Sequence, residues 1–313
     1  MKLAVVVVNW NSRDDLAACL RSLAAQTHRA LDVVVVDNGS TDGSAELVRQ
    51  DFPAVRLVET GENLGFAEGS NRGIAATDTA WVAMLNNDAV AEPGWAEALV
   101  DAALAAEPRC GMLQSVLLFQ KDPPEINSTG LEILPNGTGK DREFGAPWRT
   151  PRDAEEDIFC PTAGACLYRR AMLDEVRLPT GWFDRGHFLY SEDADLGWRA
   201  RLAGWSAKLV PRSIVRHKFH GSSVRHDAGW LAALMHTNRM RTLVKNASPR
   251  FLVRTLPKTL EHLATISYHA GPRGLLRWGE AVRDAARLRP LVTRMSRVER
   301  AELEARWMRR AGA

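Results

Sequence analysis

The sequence lacks several features that would fix its class at once. Its four cysteines, Cys19, Cys110, Cys160 and Cys166, form no CxxC pair and no metal-like cluster. That argues against a disulfide framework or a thiolate metal centre, and for reduced thiols in the cytoplasm. No apolar run approaches the ~20 residues that span a bilayer. Met1-Lys2 runs straight into an apolar stretch, so no N-terminal signal peptide is expected. There is no GxGxxG and no GxxxxGK[ST]. A nucleotide diphosphate would therefore need a cation rather than a cradle of backbone alone. No internal repeat or low-complexity segment is found.

What is present describes a globular chain. Its 313 residues are 45% hydrophobic and 25% charged, enough for one large domain or two ordinary ones with a sizeable core. The net charge of +3 conceals an asymmetry. Residues 1–225 hold 24 basic and 31 acidic side chains, whereas 226–313 hold 17 and 7. An acidic body with a basic tail suggests two tasks, the tail lying on anionic headgroups or nucleic acid.

The first hundred residues alternate apolar runs (Leu3–Val8, Val33–Val36, Val55–Val58, Ala80–Leu85) with amphipathic ones (Asp14–Ala25, Asp42–Gln50, Ala67–Ala76). The first two runs are nearly all β-branched and do not alternate, which suits central parallel strands covered on both faces. Strand and helix in alternation predict an α/β architecture. Ser40 and Thr41 stand where N-caps are expected. Asp195 and Arg199, spaced i,i+4, are expected to pair on a helix face. Residues 119–158 show no period and read as an excursion over the site. From Ala228 the chain reads as helical, interrupted at Pro249, Pro257, Pro272 and Pro290.

Polar residues close three of the strands: Asn9-Trp10-Asn11, Asp37-Asn38-Gly39-Ser40 and Asn86-Asn87-Asp88. In open α/β sheets, ligands bind beyond the carboxyl ends of strands. Asp37 either makes an Asx turn or grips a base or ribose, while Asp42 fits an Asx turn capping the next helix. The stretch from Asn63 through Gly65 to Gly73 is glycine-rich, for close packing or for a ligand. Asp88 either belongs to a plain turn before Pro93 or offers a carboxylate to Mg²⁺ or Mn²⁺. Glu192 and Asp193 open a helix. There they either complement its dipole or supply a general base for an acceptor hydroxyl. The dipole would lower a carboxylate's proton affinity, and burial would offset that. His217 and His220, among Arg216, Lys218 and small hydroxyls, are either structural or part of a diphosphate or metal site.

In order and spacing, Val-Val-Asn-Trp-Asn (7–11), Val-Asp-Asn-Gly-Ser-Thr-Asp-Gly-Ser (36–44), Asn-Leu-Gly-Phe-Ala (63–67), Leu-Asn-Asn-Asp (85–88), Tyr-Ser-Glu-Asp-Ala-Asp-Leu (190–196) and the His217 segment resemble glycosyltransferase family 2. The resemblance is nearest its rhamnosyltransferase-like bacterial members, which make surface polysaccharides. It implies a GT-A fold: a Rossmann-like, mostly parallel nucleotide-binding sheet with flanking helices over 1–225, followed by a basic helical region over 226–313. It implies an inverting, metal-dependent, non-processive transfer of a sugar, such as L-rhamnose from dTDP-rhamnose, to a lipid-linked or cell-surface glycan. Asp37, with Asn9 and Asn11 nearby, would meet the base, and Asn86 the ribose or sugar. Asn63, Gly65 and Asn87 would complete the donor site, Asp88 and His217 would hold the metal, and Asp193, beside Glu192, would be the base. Asn86 departs from the usual carboxylate, and His187 stands where an aromatic is more usual. The QxxRW motif is absent, because Gly274 precedes Arg277-Trp278.

The expected partners are a nucleotide-diphosphate sugar and a glycan or polyprenyl-linked acceptor, with no nucleic acid. Gly279–Leu291 reads as an amphipathic helix with arginines on one face, suited to the inner face of the cell membrane, to the catalytic domain or to another subunit of an oligomer. Two other functions are weighed. A sugar-phosphate nucleotidyltransferase would want a basic glycine-rich loop where Asn9–Arg13 stand. A nucleic-acid-binding protein would rely on the basic tail, which carries no recognisable motif.

Overall fold

The computed structural model describes residues 1–149, 156–218 and 227–308. The valine-rich runs form β1 (Leu3–Asn9) and β2 (Leu31–Asp37), which pair in parallel from Leu3↔Leu31 to Asn9↔Asp37. β4 (Trp81–Leu85) joins the other edge of β1, and β3 (Arg56–Glu59) lies beyond β2. β1 and β4 are buried along their whole length, as strands covered on both faces should be. One layer packs Val6, Val8 and Met84; the other packs Val5 and Val7 against Leu16, Leu20 and Leu99.

The sheet continues with β11 (Ala165–Arg169), antiparallel to both β4 and β6 (Cys110–Phe119), then β12 (Ser206–His217), parallel to β6. β5 (Ala89–Ala91) pairs with the end of β12, placing His217 opposite Ala89. That register sets the position of Asp88, one residue earlier. A separate hairpin, β8 (Leu131–Ile133) with β9 (Gly139–Asp141), rises from the stretch that shows no period in the sequence.

The helices α1 (Arg13–Ala24), α2 (Ser44–Asp51), α3 (Gly65–Ala75), α4 (Trp95–Ala105), α5 (Arg170–Glu175) and α6 (Glu192–Leu202) flank the sheet. Neither Ser40 nor Thr41 caps α2. The helix begins at Ser44, and Asp42 accepts from the Ser44 amide at 3.1 Å in the Asx turn expected of it. Ser40 instead accepts from the Asn11 amide at 2.9 Å, and that bond ties two strand-end loops together. Asp195 and Arg199 do pair, at 3.1 Å, but both are fully buried rather than on an exposed helix face.

The tail forms α7 (Ala228–Asn246), α8 (Pro249–Arg254), α9 (Leu256–Met295) and α10 (Arg300–Trp307). Pro249 and Pro257 open helices, where a missing amide hydrogen costs nothing. α9 breaks at Gly271 (φ 57°), just before Pro272, and Pro290 lies inside its last stretch. The amphipathic segment 279–291 packs Val282, Leu288 and Leu291 against the core and buries Ala281 and Ala285. Its apolar side is therefore taken up by the protein itself. No helix among the described residues is long and apolar enough to cross a membrane.

Candidate active site

Three polar strand ends converge. Asn9, fully buried at the end of β1, accepts from Asn87 Nδ2 at 2.7 Å and donates to Ser40 Oγ at 3.3 Å and Asp37 Oδ1 at 3.5 Å. Asp37 in turn accepts from the Ser40 amide at 3.0 Å. Asn11 holds the Thr41 amide at 2.7 Å from a left-handed backbone (φ 50°). These six residues brace the rim of the sheet.

Beyond the rim lies a cavity of about 680 Å³, lined by Asn63, Gly65, Asn86, Asn87, Asp88, Asp193 and His217 among others. Its size suits a small-molecule ligand. Asn9, Asn11, Asp37 and Glu192 do not line it, whereas Trp10 and Asn38 do. Asn38 donates to Asn63 Oδ1 at 3.0 Å and accepts from the Leu64 amide at 3.1 Å, so it shapes the loop entering α3. At Gly65 (φ +82°) a Cβ would stand 2.5 Å from Phe188, a contact only glycine permits.

His217 Nε2 lies 3.0 Å from Asp88 Oδ1 and 3.2 Å from Asn86 Nδ2, and its Nδ1 is 2.8 Å from Asn127 Oδ1. With the Nδ1 hydrogen given to Asn127, Nε2 turns a lone pair toward a carboxylate oxygen. Two such acceptors are held at this distance by a proton or a cation between them. Neighbouring ligands of an octahedral Mg²⁺ at ~2.1 Å stand about 3.0 Å apart, so the pair fits such an ion. Around such an ion Asn127 would be the outer partner that orients the imidazole.

A second acidic group is already balanced. Asp184, His187 and Asp195 place ligand atoms within 4.8 Å of one another, as a metal site would. The Lys245 ammonium sits among them, bonded to Asp184 and, at 3.0 Å, to Asp195. Burial is outweighed there by Lys245, and both carboxyls stay below their usual range. His187, buried, bonds the Asp184 carbonyl at 3.1 Å and Thr242 at 3.0 Å, so it joins this structural cluster.

Asp193 sits in the first turn of α6, accepting from the Ala163 amide at 3.1 Å and from its neighbour Ala194 at 2.7 Å. The sequence sets dipole against burial, and here burial prevails. It raises the Asp193 carboxyl above its usual range despite those bonds. Glu192 is more deeply buried, and burial, then the charge of Asp193, pushes it well up. The approach to α6 is strained: Phe188, Tyr190 and Ser191 all take left-handed backbones (φ 61°, 70° and 69°). Asn238 of α7 clamps this loop, donating to the carbonyls of His187, Leu189 and Tyr190 at 2.7–2.9 Å.

Several lining residues carry no sequence signal of their own. Asp141 on β9 is one, its carboxyl pushed up to about 6 by burial and by Asp193. The turn Asn136-Gly137 after Leu131 and Ile133 is the hairpin signal that marks its place. His236, Arg239, Lys258 and His262 reach the cavity from α7 and α9. His220 lies outside the described residues.

The sequence model described as Glycosyl transferase family 2 matches residues 4–177. The chain is 34% identical over 253 residues to the N-acetylglucosaminyl-diphospho-decaprenol L-rhamnosyltransferase of Mycobacterium tuberculosis (strain H37Rv), covering 74% of this chain and 80% of that protein. The fold is similar to that of GalNAc-T7 solved with UDP, GalNAc and Mn²⁺ (TM-score 0.66, 16% identity, 84% of this chain); the chain spans about half of that one (51%). It is also similar to the mannosyltransferase PcManGT of Pyrobaculum calidifontis, solved with GDP-Man and Mn²⁺ (TM-score 0.51, 18% identity, 97% of this chain and 79% of that one).

Proposed function

The chain belongs to glycosyl transferase family 2, with the GT-A fold, and from that membership we propose an inverting, metal-dependent, non-processive transfer of one sugar to a polyprenyl-linked glycan. The mycobacterial relative's name makes L-rhamnose, from dTDP-rhamnose, the donor to test first. The observation that carries this reading is the meeting of the Asp88–His217 pair and Asp193 in one cavity. Asp37, Asn9 and Asn11 hold the strand ends so that Asn63, Gly65, Asn86 and Asn87 can face the nucleotide sugar. Asp88 and His217 would hold Mg²⁺ or Mn²⁺, which when bound stabilises charge on the departing diphosphate.

Asp193 takes the proton of the acceptor hydroxyl. The acceptor oxygen bonds to the anomeric carbon from the face opposite the diphosphate. The bond from that carbon to phosphate breaks, and the nucleoside diphosphate leaves with the electron pair. Burial and then the charge of Asp193 push the Glu192 carboxyl well up, which favours Asp193 as the ionised member of the pair. Residues 1–225 supply donor binding and chemistry, and 226–313 complete the acceptor side. Membership of this family weighs against the nucleotidyltransferase and nucleic-acid readings.

A panel of nucleotide sugars with Mg²⁺ or Mn²⁺ tests the whole reading. Nucleotide release from none of them would sink it. Asp88→Ala should lower metal affinity by more than the ~10–100-fold typical of losing an outer partner such as Asn127. Asn86→Ala and Asn87→Ala should cost less. Metal titration of donor hydrolysis checks the order.

Membrane contact is proposed at a different face from segment 279–291. Val253, Leu256, Leu260, Tyr268 and Leu276 are 50–86% exposed, with Arg250, Arg254, Arg273 and Arg277 close in sequence. A basic, apolar ridge suits an anionic bilayer. Flotation with phosphatidylglycerol vesicles should retain the wild type and lose the triple variant Leu256→Ser/Leu260→Ser/Tyr268→Ser. Equal flotation would remove this ridge as the contact.

A further inference from the structure

One wall of the cavity has no part in the donor site or the general base. Arg239 and His236 reach it from α7, and Lys258 and His262 from α9. Arg239 and His262 are 6% and 5% exposed. Arg239 donates to Thr259 at 3.1 Å and to the Asn136 carbonyl, yet its Nε has no hydrogen-bond partner among the described residues. The same holds for His262 Nδ1 and for Thr138 Oγ1 of the facing hairpin, both on residues that line the cavity. Three lining residues on three elements thus carry unpaired buried polar atoms. Buried polar groups normally have partners, so such a cluster marks a polar ligand's place.

The charge at this wall is positive. His236 and His262 stack with ring centroids 3.6 Å apart at 18°. Burial lowers both, His262 to about 4; the His236 ring and then Arg239 and Lys258 lower His262 further, while Lys258 and Arg239 lower His236. Glu261 is the acid nearby; it is exposed and pairs with Lys258 at 2.6 Å, and His269 adds to the charge facing His236. The wall wants an anion. The exposed Leu256 and Leu260 share α9 with Lys258 and His262, and Leu231 and Met235 line the same cavity from α7. An anion seated there would have an apolar path leading out.

We propose that His236, Arg239, Lys258 and His262 seat the phosphate or diphosphate that joins the acceptor's glycan to its lipid. This rests on the glycosyl-transfer reading and names its acceptor as a glycosyl phospholipid. The sugar then lies toward Asp193, and the lipid leaves over Met235 and the ridge of α9.

The test uses the full chain, saturated with whichever nucleoside diphosphate raises its melting temperature. Citronellyl diphosphate is added while the C2 protons of His236 and His262 are followed by NMR. A bound anion favours imidazolium, so both should move downfield along one saturable curve. His262→Gln, with melting temperature and spectrum otherwise kept, should weaken that binding about tenfold, the loss of one charge-assisted hydrogen bond. Unmoved histidine signals would overturn the assignment. So would equal binding of inorganic pyrophosphate, which would make the wall a free-anion site. Movement caused by the nucleoside diphosphate alone would give the wall to the donor. If no nucleoside diphosphate stabilises the chain, the glycosyl-transfer reading fails before this one is reached.

Discussion

Asp193→Asn is expected to lower kcat/KM by about 10³-fold, the central effect of losing a general base. Donor affinity should stay within a few-fold, because the change touches the acceptor side of the cavity. The pH profile carries a second signature. Burial raises the Asp193 carboxyl, so the active, ionised form is reached above the usual carboxylate range and the rate climbs with pH there. The rising limb should vanish in the variant. The sign for stability is opposite. A carboxyl raised in the folded state holds its proton longer than the unfolded chain does, so it subtracts stability as pH rises. The amide has no proton to lose, so Asp193→Asn should lose this pH dependence of melting, although its Nδ2 gives up one of the two backbone amides that Asp193 accepts from. Glu192→Gln is the control, since the amide resembles the protonated form that burial favours there. It should keep its rate within about tenfold. Product formation and calorimetric donor titration check both, and wild-type turnover in Asp193→Asn would remove it as base.

Lys245→Met should be the most damaging change to stability. Lys245 is fully buried and bonds both Asp184 and Asp195. Without it, Asp195 keeps Arg199 at 3.1 Å and Asn246 at 2.8 Å, but Asp184 loses a partner it cannot replace with water. Removing one member of a buried ion pair costs roughly 3–5 kcal/mol. The melting temperature should fall by about 10 °C at pH 7. In the wild type both carboxyls are depressed, so their contribution is present above the usual carboxylate range and fades only as pH falls through their lowered values. In Lys245→Met the Asp184 carboxyl should be raised instead, and the variant should regain stability as pH falls toward about 5. Adding Asp184→Asn should recover much of the loss at pH 7. Scanning calorimetry of the single and double variants across pH decides it. A melting point equal to wild type would mean that the cluster contributes nothing.

The sheet was legible because its strands are buried on both faces and therefore read as unbroken β-branched runs: β1 and β2 fall within two residues of the valine stretches. The rim was legible because each strand ends in a polar cluster. What the sequence hides is contact across long separations. Nothing local ties Asn238 to the loop at Tyr190, or Lys245 to Asp184. Asp141 was hidden because its hairpin is short and set in a segment without period. His236, Arg239, Lys258 and His262 look like ordinary solvated helix positions until two helices are folded over a cavity. The helix dipole at Asp193 could be read from position alone, whereas the burial that outweighs it could not.

The Lys245 cluster also has a history within each molecule's synthesis. Asp184 leaves the ribosome 61 residues ahead of its counter-charge. At ~5–20 residues per second, that gap lasts about 3–12 s. During it β12 is still being added to the sheet, and the base of α6 has acids and no lysine. Those acids must stay hydrated or protonated until Lys245 arrives, and the loop leading into α6 waits for Asn238 of the same helix, α7. The approach to α6 is thus completed by α7, the helix that also clamps the loop, and a chain stalled before Lys245 would leave Asp184 without its counter-charge.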